Sequence, residues 1–375
     1  MNRVRIGIVG IGNMGTAHAR YVSGGEINGA ELAAVCDISA DRLRWAKEQF
    51  GEALHTFESV DAMLDSGTVD AILICNLHFD HPSTAMKAFA RGIHVLCEKP
   101  AGVYTKQVRE MNEAAAASGV KFAMMFNQRT IPLYKKLKDL IDSGELGEIR
   151  RTNWIITNWY RSQSYYDSGK WRATWAGEGG GVLLNQCPHQ LDLWQWTVGM
   201  LPSRVRAFCS FGKYRDIEVE DEVTAYVEYP NGATGVFITT TAEAPGTNRL
   251  EVTGERGKIV IEDGKLTFWR LRVSEPEFNQ TFKGAFGQPE CWKCDVPVST
   301  DSKAHKAITQ NWVDSIRTGV NLIAPGEEGI RGLTLSNAMY LSAWTDGWVE
   351  LPLDEDRFHE LLQERIATSR YQSNT

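Results

Sequence analysis

The fold is decided by residues 5–37, which begin with RIGIVGIGNMG (5–15) and end with ELAAVCD (31–37). The isoleucines and valine at the start predict a buried strand, and the glycines that follow predict a tight turn. A helix is predicted after the turn, and a second strand over the closing segment. This order of strand, glycine turn, helix and strand is typical of proteins that bind dinucleotides.

Each glycine of the turn, and the acid that ends the second strand, has a physical role in such binding. Gly10 permits the tight turn, Gly12 lets the backbone approach a pyrophosphate, and Gly15 lets the helix pack close to the strand. Asp37, 22 residues after the last glycine, suits the ribose hydroxyls and would repel the 2′-phosphate of NADP. Ile38 follows where NADP enzymes often have Ser or Arg, so NAD is the predicted cofactor. The predicted dinucleotide contacts are Gly10, Gly12, Asn13, Met14, Gly15 and Asp37.

Length and composition indicate a globular protein of two domains. The chain has 375 residues, 43% of them hydrophobic and 23% charged, with a formal net charge of −7. This balance predicts no nucleic-acid partner, and no apolar run approaches the roughly 18 residues of a membrane span. Seven scattered cysteines, without a signal peptide, predict reduced thiols and a cytoplasmic protein. Cys291 and Cys294 form a single CxxC pair, which is more typical of two strand residues than of a metal or redox site, so no metal is predicted.

The first part of the chain predicts an α/β domain. Strands and helices alternate up to Phe126, which predicts a doubly wound parallel sheet of six strands. The apolar strand Asp70–Cys75 is followed by the polar segment Asn76–Pro82, which contains His81. This segment is at the carboxyl end of its strand, where open α/β sheets bind ligands.

The pattern changes after Gly147. Strands rich in Val, Ile and Thr follow one another, and Asn231-Gly232 between two of them predicts a hairpin. The second part is therefore predicted to be an α+β domain built on a large, mostly antiparallel open sheet. The predicted domain boundaries are 1–126 and 127–375.

A first candidate for chemistry is Lys99, which stands between Glu98 and Pro100 just past a predicted strand of the first domain. The proline restricts the backbone conformation at this point and so fixes the direction of the lysine. A lysine beside a nicotinamide can bind the reacting hydroxyl and stabilise the alkoxide that forms as hydride leaves. The alternative is a lysine in a surface turn, and the local sequence does not decide between the two.

A second candidate is the segment that follows three glycines at 179–181. Val182–Val198 is predicted to form a helix, on which Asn185, His189 and Asp192 share one face at i, i+4 and i+7. Histidine titrates near neutral pH, and the aspartate one turn later is placed to hold its orientation or tautomer. The proline just before the histidine weakens the first part of this alignment. A helical histidine is also commonly a packed residue, and that alternative stays open.

These motifs together resemble the Gfo/Idh/MocA family, the relatives of glucose–fructose oxidoreductase and inositol dehydrogenase. The resemblance rests on GIVGIGNMG at 7–15, then Glu98-Lys99-Pro100, then the glycine run and a His-x-x-Asp motif, in the family's order over nearly the whole chain. It implies an N-terminal Rossmann domain, 1–126, that binds NAD(P). It also implies a C-terminal domain, 127–375, that binds substrate and often forms homodimer or homotetramer contacts through its sheet. The implied reaction is the oxidation of a sugar or polyol hydroxyl.

The resemblance also implies roles for individual residues. Lys99 matches the family's catalytic lysine and His189 its catalytic histidine. Many inositol dehydrogenase relatives have an aspartate four residues before the histidine, where this chain has Asn185. An amide takes no proton, so either His189 acts without that neighbour or Lys99 carries more of the proton transfer. Cofactor contacts on the nicotinamide side are expected from Asn76, His81, Glu98, Lys99 and Asn127.

The loop before the glycine run is crowded with aromatic and basic residues. Aromatic faces stack on the C–H faces of sugars, although strand aromatics are usually core residues. The basic groups are placed to receive an anionic group such as a carboxylate, or they are solvated loop charges. A histidine before a C-terminal helix is expected to close the pocket. The expected substrate contacts are Lys99, Tyr160, Arg161, Tyr166, Trp171, Arg172, Asn185, His189 and His305.

These patterns predict a NAD-dependent oxidoreductase that acts on a secondary hydroxyl of a small carbohydrate. His189, with Lys99, would remove the hydroxyl proton while hydride passes to the nicotinamide. One alternative uses the same site: an NAD-dependent glycoside-cleaving enzyme oxidises C3 transiently, eliminates the C1 substituent and reduces the sugar again. A second alternative is a non-catalytic dinucleotide sensor, against which the retention of both Lys99 and His189 argues.

Overall fold

The computed structural model describes residues 3–299 and 303–371. Every element discussed below lies within these two ranges. None of the helices found there is both long enough and apolar enough to cross a membrane.

The described chain divides into two compact units. The first contains residues 3–130 and 303–333, and the second contains residues 131–299 and 334–371. This division differs from the predicted domains chiefly in the segment 303–333, which the sequence pattern assigns to the second domain. Local patterns cannot reveal this return of the chain, because it depends on packing between residues about 200 positions apart.

The first unit is built on a six-stranded sheet with the strand order β3-β2-β1-β4-β5-β6 and parallel pairing throughout. This order is that of a Rossmann fold, with a crevice at the switch point between β1 and β4. The predicted doubly wound domain is confirmed. Its strands are β1 (Val4–Val9), β2 (Ala30–Cys36), β3 (His55–Phe57), β4 (Ala71–Ile74), β5 (His94–Cys97) and β6 (Phe122–Met124).

The second unit contains a nine-stranded sheet with the order β14-β13-β12-β11-β7-β10-β9-β8-β15. Only β7 and β10 pair in parallel, so the predicted mostly antiparallel sheet is confirmed. Asn231-Gly232 forms the turn between β9 and β10, as predicted. The strands are β7 (Ile149–Ile156), β8 (Arg204–Phe211), β9 (Glu220–Glu228), β10 (Thr234–Thr240), β11 (Asn248–Gly254), β12 (Gly257–Glu262), β13 (Lys265–Leu271), β14 (Cys291–Asp295) and β15 (Val349–Glu350).

Helices connect and cover both sheets. Short 3-10 turns occur at Asn127–Thr130 and Gly326–Glu328. The α-helices are α1 (Asn13–Ser23), α2 (Ala40–Phe50), α3 (Val60–Asp65), α4 (Asp80–Phe89), α5 (Thr105–Ser118), α6 (Pro132–Asp142), α7 (Gln163–Tyr166), α8 (Pro188–Val198), α9 (Glu275–Thr281), α10 (Ala304–Thr318), α11 (Gly329–Thr345) and α12 (Glu355–Ala367).

The segment predicted to be helical, Val182–Val198, is helical except at Cys187, but it forms two elements. Val182–Gln186 forms one turn of π-helix, Cys187 interrupts it, and α8 begins at Pro188. Proline has no N–H to donate, so it is tolerated in the first turn of a helix but breaks a helix from within. Asn185 therefore precedes the helix that carries the predicted catalytic histidine.

Several of the aromatic residues lie in the core of the second unit. The rings of Trp194 and Phe237 stack with centroids 5.4 Å apart, and Trp154 meets the same phenylalanine edge-on at 6.3 Å. All three side chains are fully buried. The indole N–H of Trp194 donates to Oγ1 of Thr152 at 3.0 Å. These residues stabilise the sheet from within and are unavailable to a substrate.

Candidate active site

The glycine turn leaves open space where a pyrophosphate would approach. Gly10 has φ +87°, a conformation that favours glycine, and a Cβ atom on Gly15 would overlap the carbonyl oxygen of Gly10. A Cβ atom on Gly12 would meet no atom within 4 Å. Helix α1 starts directly after Gly12 with no side-chain cap and no acid in its first turn. Its first N–H groups and dipole therefore suit an anion, as the sequence predicts.

Asp37 is fixed at the end of β2 by two backbone donors. Its Oδ2 accepts from the N–H of Ile11 at 2.8 Å, and its Oδ1 accepts from the N–H of Ser39 at 2.9 Å. Each carboxylate oxygen keeps further lone-pair capacity for a ribose hydroxyl. Arg42 braces the same turn, because its Nε donates to the carbonyl oxygen of Ile11 at 2.7 Å. The geometry suits a free ribose diol.

Four buried amide oxygens of the first unit lack a partner among the described residues, namely Oε1 of Gln107, Oδ1 of Asn112 and two that follow strands of the Rossmann sheet. The two that follow strands are Oδ1 of Asn76, after β4, and Oδ1 of Asn127, after β6. The nitrogen of Asn76 donates to Oγ1 of Thr84 at 3.1 Å, and the nitrogen of Asn127 lies 3.3 Å from Nδ1 of His305. A buried acceptor without a donor costs free energy, so both oxygens suit a ligand that carries N–H groups, such as a carboxamide. The residues present thus fit NAD.

His81 lies behind this edge in the interior. It is 1% exposed, and its two ring nitrogens lie 2.7 Å from the carbonyl oxygen of Pro100 and 3.1 Å from that of Asn76. Burial lowers the pKa of His81, although both carbonyl contacts favour its protonated form. The histidine joins the segment after β4 to the segment after β5. Its position supports the loops that carry Asn76 and Lys99.

Lys99 follows directly after a buried carboxylate. Glu98 is 6% exposed, its Oε1 lies 2.8 Å from Nε2 of His18, and its Oε2 accepts from the N–H of Lys99 at 3.2 Å. Burial acts to raise the pKa of Glu98, but the hydrogen bond and charge of His18, with the charges of Lys99 and His305, outweigh it and bring the pKa to about 2. The rings of His18 and His305 lie 5.8 Å apart. Burial lowers the pKa of His305.

In the second unit, Glu220 holds the π-turn in place. Its carboxylate accepts from the N–H of Gly181 at 2.9 Å, the N–H of Leu183 at 2.8 Å and the hydroxyl of Tyr340 at 2.7 Å. The side chain is fully buried, and burial raises its pKa to about 7. A Cβ atom on Gly181 would overlap the backbone of Glu220, so the glycine run permits this close approach.

The π-turn presents Asn185 to a polar cluster. Nδ2 of Asn185 donates to Oε1 of Glu178 and, at 3.3 Å, to the hydroxyl oxygen of Tyr165. Arg172 also donates to that hydroxyl oxygen, at 3.1 Å, and lies 3.9 Å from Oε1 of Glu178. We call Tyr165, Arg172, Glu178 and Asn185 the Asn185 cluster.

His189 and Asp192 lie on α8, as predicted. His189 is half-buried in the first turn of the helix. Asp192 is 1% exposed, and its Oδ1 accepts from Nε2 of Gln195 at 3.1 Å. The aspartate is therefore an interior residue held by its own helix.

The other predicted substrate contacts lie in different surroundings. Tyr166 is buried, its hydroxyl donates to Oγ1 of Thr241 at 3.0 Å, and burial raises its pKa to about 12. Tyr160 is 51% exposed. The guanidinium groups of Arg161 and Arg172 lie 5.1 and 4.8 Å from the ring of Tyr165, and Arg172 also lies 4.4 Å from the ring of Trp171. Tyr165 is half-buried, so it is more accessible to a substrate than the buried Tyr166.

Three residues with a place in these sites were missed from the sequence, namely His18, Glu178 and Glu220, whereas Tyr165 belongs to the aromatic group predicted before the glycine run. The glutamates have no local motif, and their roles depend on partners elsewhere in the chain. The position of His18, one turn into the helix that follows the glycine loop, was the only available signal. Among residues 3–299 and 303–371, no cluster of three or more His, Cys, Asp or Glu residues is suited to a metal ion.

A Rossmann sheet with an open glycine loop, followed by a large mixed sheet, is the architecture of two-domain dinucleotide-dependent oxidoreductases. Residues 4–126 match the oxidoreductase family with an NAD-binding Rossmann fold, and residues 134–260 match the Gfo/Idh/MocA C-terminal domain. The chain belongs to the Gfo/Idh/MocA family, as its motifs predict. The predicted fold class, oxidoreductase class and NAD cofactor are confirmed.

Individual relatives in this family are 26–33% identical to the chain over the residues that align. The rhizopine catabolism protein MocA of Rhizobium meliloti is 33% identical over 56% of this chain and 62% of its own length. The myo-inositol 2-dehydrogenase of Thermotoga maritima is 27% identical over 70% of this chain and 77% of its own length. The WlbA dehydrogenase of Bordetella pertussis, solved with NADH and UDP-GlcNAcA, superposes with a TM-score of 0.79 at 26% identity, over 94% of this chain and all of the other.

Proposed function

We propose that this protein oxidises a secondary hydroxyl of a sugar, polyol or glycoside, with NAD as the hydride acceptor. The observation that carries the proposal is the ligand edge of the first unit. It combines an open glycine loop, an anchored Asp37 and two buried amide oxygens that no described residue satisfies. The named relatives support a carbohydrate substrate, since one is an inositol dehydrogenase and another was solved with UDP-GlcNAcA.

In the proposed reaction NAD supplies the nicotinamide carbon that takes up hydride from the substrate C–H bond. His189 takes the hydroxyl proton at an imidazole nitrogen as the C=O bond forms. The ammonium group of Lys99 stabilises the negative charge that develops on the reacting oxygen. Asn185 binds a substrate hydroxyl. The roles of Lys99 and His189 rest on their match to family positions.

The test is turnover by the purified protein on a panel of sugars, polyols and glycosides, both neutral and anionic. Lys99→Ala and His189→Ala are each expected to lower kcat by about a hundredfold or more, the usual scale for acid–base groups. His189→Ala should leave NAD affinity unchanged, because the ligand edge described above belongs to the first unit. His359→Ala, on α12, is the matched control and should keep full activity. Near-normal turnover by Lys99→Ala and His189→Ala would reject their assignment.

The same assay separates the proposed reaction from glycoside cleavage. A dehydrogenase accumulates NADH in proportion to product and leaves the C2–H bond intact. A cleaving enzyme needs only catalytic NAD, releases aglycone, and exchanges C2–H for deuterium in heavy water. We expect stoichiometric NADH. Aglycone release with substoichiometric NAD would instead select the glycoside-cleaving function.

We also propose a homodimer or homotetramer that forms through the open face of the nine-stranded sheet. Arg206 of β8 pairs with Tyr226 of β9, so their side chains share one face with Phe208, two residues further along β8. Phe208 is 62% exposed and Trp348, whose ring lies 5.8 Å from that of Tyr226, is 44% exposed. Apolar area of this kind favours association. Light scattering should give a multiple of the 41.9 kDa chain mass, and Phe208→Glu should reduce it.

We propose a reducing compartment, such as the cytoplasm. All seven cysteines carry free thiols. Thiol labelling of protein taken directly from cells should modify the exposed Cys291, and a disulfide at this position would contradict the proposal.

A further inference from the structure

Two buried side chains from distant parts of the chain meet at the glycine run of the second unit. Glu220, at the start of β9, accepts from the N–H of Gly181 at 2.9 Å through Oε2 and from the N–H of Leu183 at 2.8 Å through Oε1. The hydroxyl of Tyr340, on α11, donates to the same Oε1 at 2.7 Å. A Cβ atom on Gly180 would overlap the hydroxyl oxygen of Tyr340, so the glycine run makes room for both side chains.

The backbone that Glu220 binds leads directly into α8. The carbonyl oxygen of Gly181 accepts from the N–H of Asn185 at 2.9 Å, and the carbonyl oxygen of Val182 accepts from the N–H of Cys187 at 2.8 Å. Cys187 is the residue immediately before α8, whose first turn carries the predicted catalytic histidine. The position of Asn185 and the start of α8 therefore depend on how Glu220 holds the π-turn.

The contacts of Glu220 match an ionised carboxylate. Such a group only accepts hydrogen bonds, and the three partners named above all donate. In the protonated form one oxygen carries a hydrogen of its own, which faces a donor and weakens one of these bonds. Burial favours this form and raises the pKa of Glu220 to about 7, although the bonds from Leu183, Tyr340 and Gly181 act to lower it. Both forms of the carboxyl are therefore populated near neutral pH.

The elements packed around β9 supply no counter-charge to Glu220. None of the seven residues of β10, its neighbour in the sheet, is titratable. The titratable groups that interact with Glu220 from other elements are Tyr340 on α11, Cys209 on β8 and Tyr166 on α7. Burial raises the pKa of each of these groups, so all three are neutral near pH 7. On β9 itself, Asp221 accepts from three backbone N–H groups and Glu222 pairs with Lys213. The charge of Glu220 is thus determined by burial against hydrogen bonding.

We propose that ionised Glu220 is a positioning residue, which holds the π-turn in the form that places Asn185 and His189 for the reaction. Proton binding to Glu220 weakens this hold and lowers activity without unfolding the protein. This inference rests on the proposed function and adds regulation by pH to the same site. Its physical basis is a conflict between two demands: the backbone donors suit the ionised form, and the buried surroundings suit the protonated one.

The first test is Glu220→Gln in the full-length protein, which mimics the protonated acid at every pH. Its amide nitrogen cannot accept, so one of the two backbone N–H groups loses its acceptor. Relative to the unmodified protein, kcat/KM should fall about tenfold at pH 8, the scale of one hydrogen bond, with unchanged NAD affinity. At pH 6, where Glu220 is itself mostly protonated, the two proteins should agree within about twofold. This ratio cancels the titration of every other group that the two proteins share.

Stability distinguishes positioning from a purely structural role. At pH 8 the thermal unfolding midpoint of Glu220→Gln should equal or exceed that of the unmodified protein, because the variant buries no charge. The matched control is Glu222→Gln, which removes a charge from the same strand, where Glu222 bonds to Lys213 at 2.7 Å. Its kcat/KM relative to the unmodified protein should be the same at pH 6 and pH 8.

A second variant tests the protonation equilibrium itself. Tyr340→Phe removes a donor to the ionised form, so the pH at which kcat/KM reaches half of its plateau should rise by about half a unit or more. Its matched control is Tyr229→Phe, which removes the hydroxyl of a buried tyrosine that contacts Thr152 at 3.4 Å. This control should leave that pH unchanged.

Several outcomes overturn the proposal. They are a Glu220→Gln variant with unmodified activity at pH 8, a loss that is equal at pH 6 and pH 8, a loss accompanied by a lower unfolding midpoint at pH 8, an insoluble Glu220→Gln variant, or an unshifted pH profile for Tyr340→Phe. If the unmodified protein oxidises no member of the sugar panel, the proposed function fails. Amide hydrogen exchange then still tests the positioning role: residues 181–187 should exchange faster at pH 8 in Glu220→Gln than in the unmodified protein, and equal exchange rejects it.

Discussion

Glu98→Gln removes a charge from the interior of the first unit while keeping nearly the same shape. In the unmodified protein Oε1 of Glu98 lies 2.8 Å from Nε2 of His18. The amide oxygen of the variant can still accept a hydrogen bond from this nitrogen. What is lost is the attraction of the ionised group to its neighbours, and its acceptance of the N–H of Lys99, because the amide nitrogen cannot accept. The substitution therefore measures what this buried charge contributes to stability.

The magnitude follows from the pKa of Glu98, which lies at about 2 in the folded protein against an ordinary value of 4.5. At about 1.4 kcal/mol for each unit of pKa, this difference corresponds to about 3 kcal/mol in the free energy of unfolding. Because the folded pKa is the lower one, the unfolded chain binds more protons between pH 4.5 and pH 2. The stabilisation is therefore present above pH 4.5 and lost as the pH falls through 2. By the same relation, less than half of it remains at pH 3.

Urea unfolding at pH 7 and pH 3, followed by tryptophan fluorescence, tests this reasoning. Glu98→Gln should lower the free energy of unfolding by about 3 kcal/mol at pH 7 and by less than half as much at pH 3. The control is Glu26→Gln, which breaks the exposed ion pair with Lys306 and should cost less than about 1 kcal/mol. If Glu98→Gln and Glu26→Gln lower the free energy of unfolding at pH 7 by the same amount, the buried charge of Glu98 does not stabilise the protein.

Three further predictions follow from single residues. Asp37→Ala should reduce the preference for NAD over NADP by about tenfold or more, because it removes the charge that opposes a 2′-phosphate; an unchanged ratio in fluorescence titrations would exclude Asp37 from the ribose site. Tyr166→Phe should leave kcat unchanged and lower the free energy of unfolding by about 1 kcal/mol through the lost bond to Thr241, whereas a loss of turnover would return Tyr166 to the substrate site. Glu220 has a pKa of about 7 in the folded protein, so between about pH 4.5 and 7 the folded state holds a proton that the unfolded chain has lost, and the free energy of unfolding should fall as the pH rises through this range. Glu220→Gln should flatten this dependence on pH. An unchanged slope would assign the dependence to another group.

The first unit was predictable because its decisive interactions are local. The turn from Gly10 to Gly15, the helix after it and Asp37 at the end of β2 lie within 28 residues. Each imposes a conformation that few other residues allow, so the pattern alone specifies the geometry. The mixed sheet was predictable for the same reason, since alternating strands and the Asn231-Gly232 turn define hairpins locally.

The cluster around Asn185 was predicted only in part, because it depends on how distant segments meet. Tyr165 and Tyr166 are adjacent in one short helix, and only the structure separates the half-buried ring from the buried one. Glu178 has no motif of its own, and its role becomes visible only when Asn185 is beside it. The sequence indicates that Pro188 disturbs the start of the helix. The π-turn before it also requires the distant Glu220, which accepts hydrogen bonds from two backbone N–H groups at the start of this turn.

The return of residues 303–333 to the first unit constrains both synthesis and recombination. The carbonyl oxygen of Ala324 accepts from the N–H of Met124, so late-synthesised chain covers the edge strand β6. A ribosome must therefore translate most of the message before this edge is protected from pairing with another chain. A single crossover after the Rossmann pattern would also separate the buried Arg129 from its partner Glu328. Exchange of an intact cofactor unit between relatives thus requires three coordinated crossovers, after residue 130, before residue 303 and after residue 333.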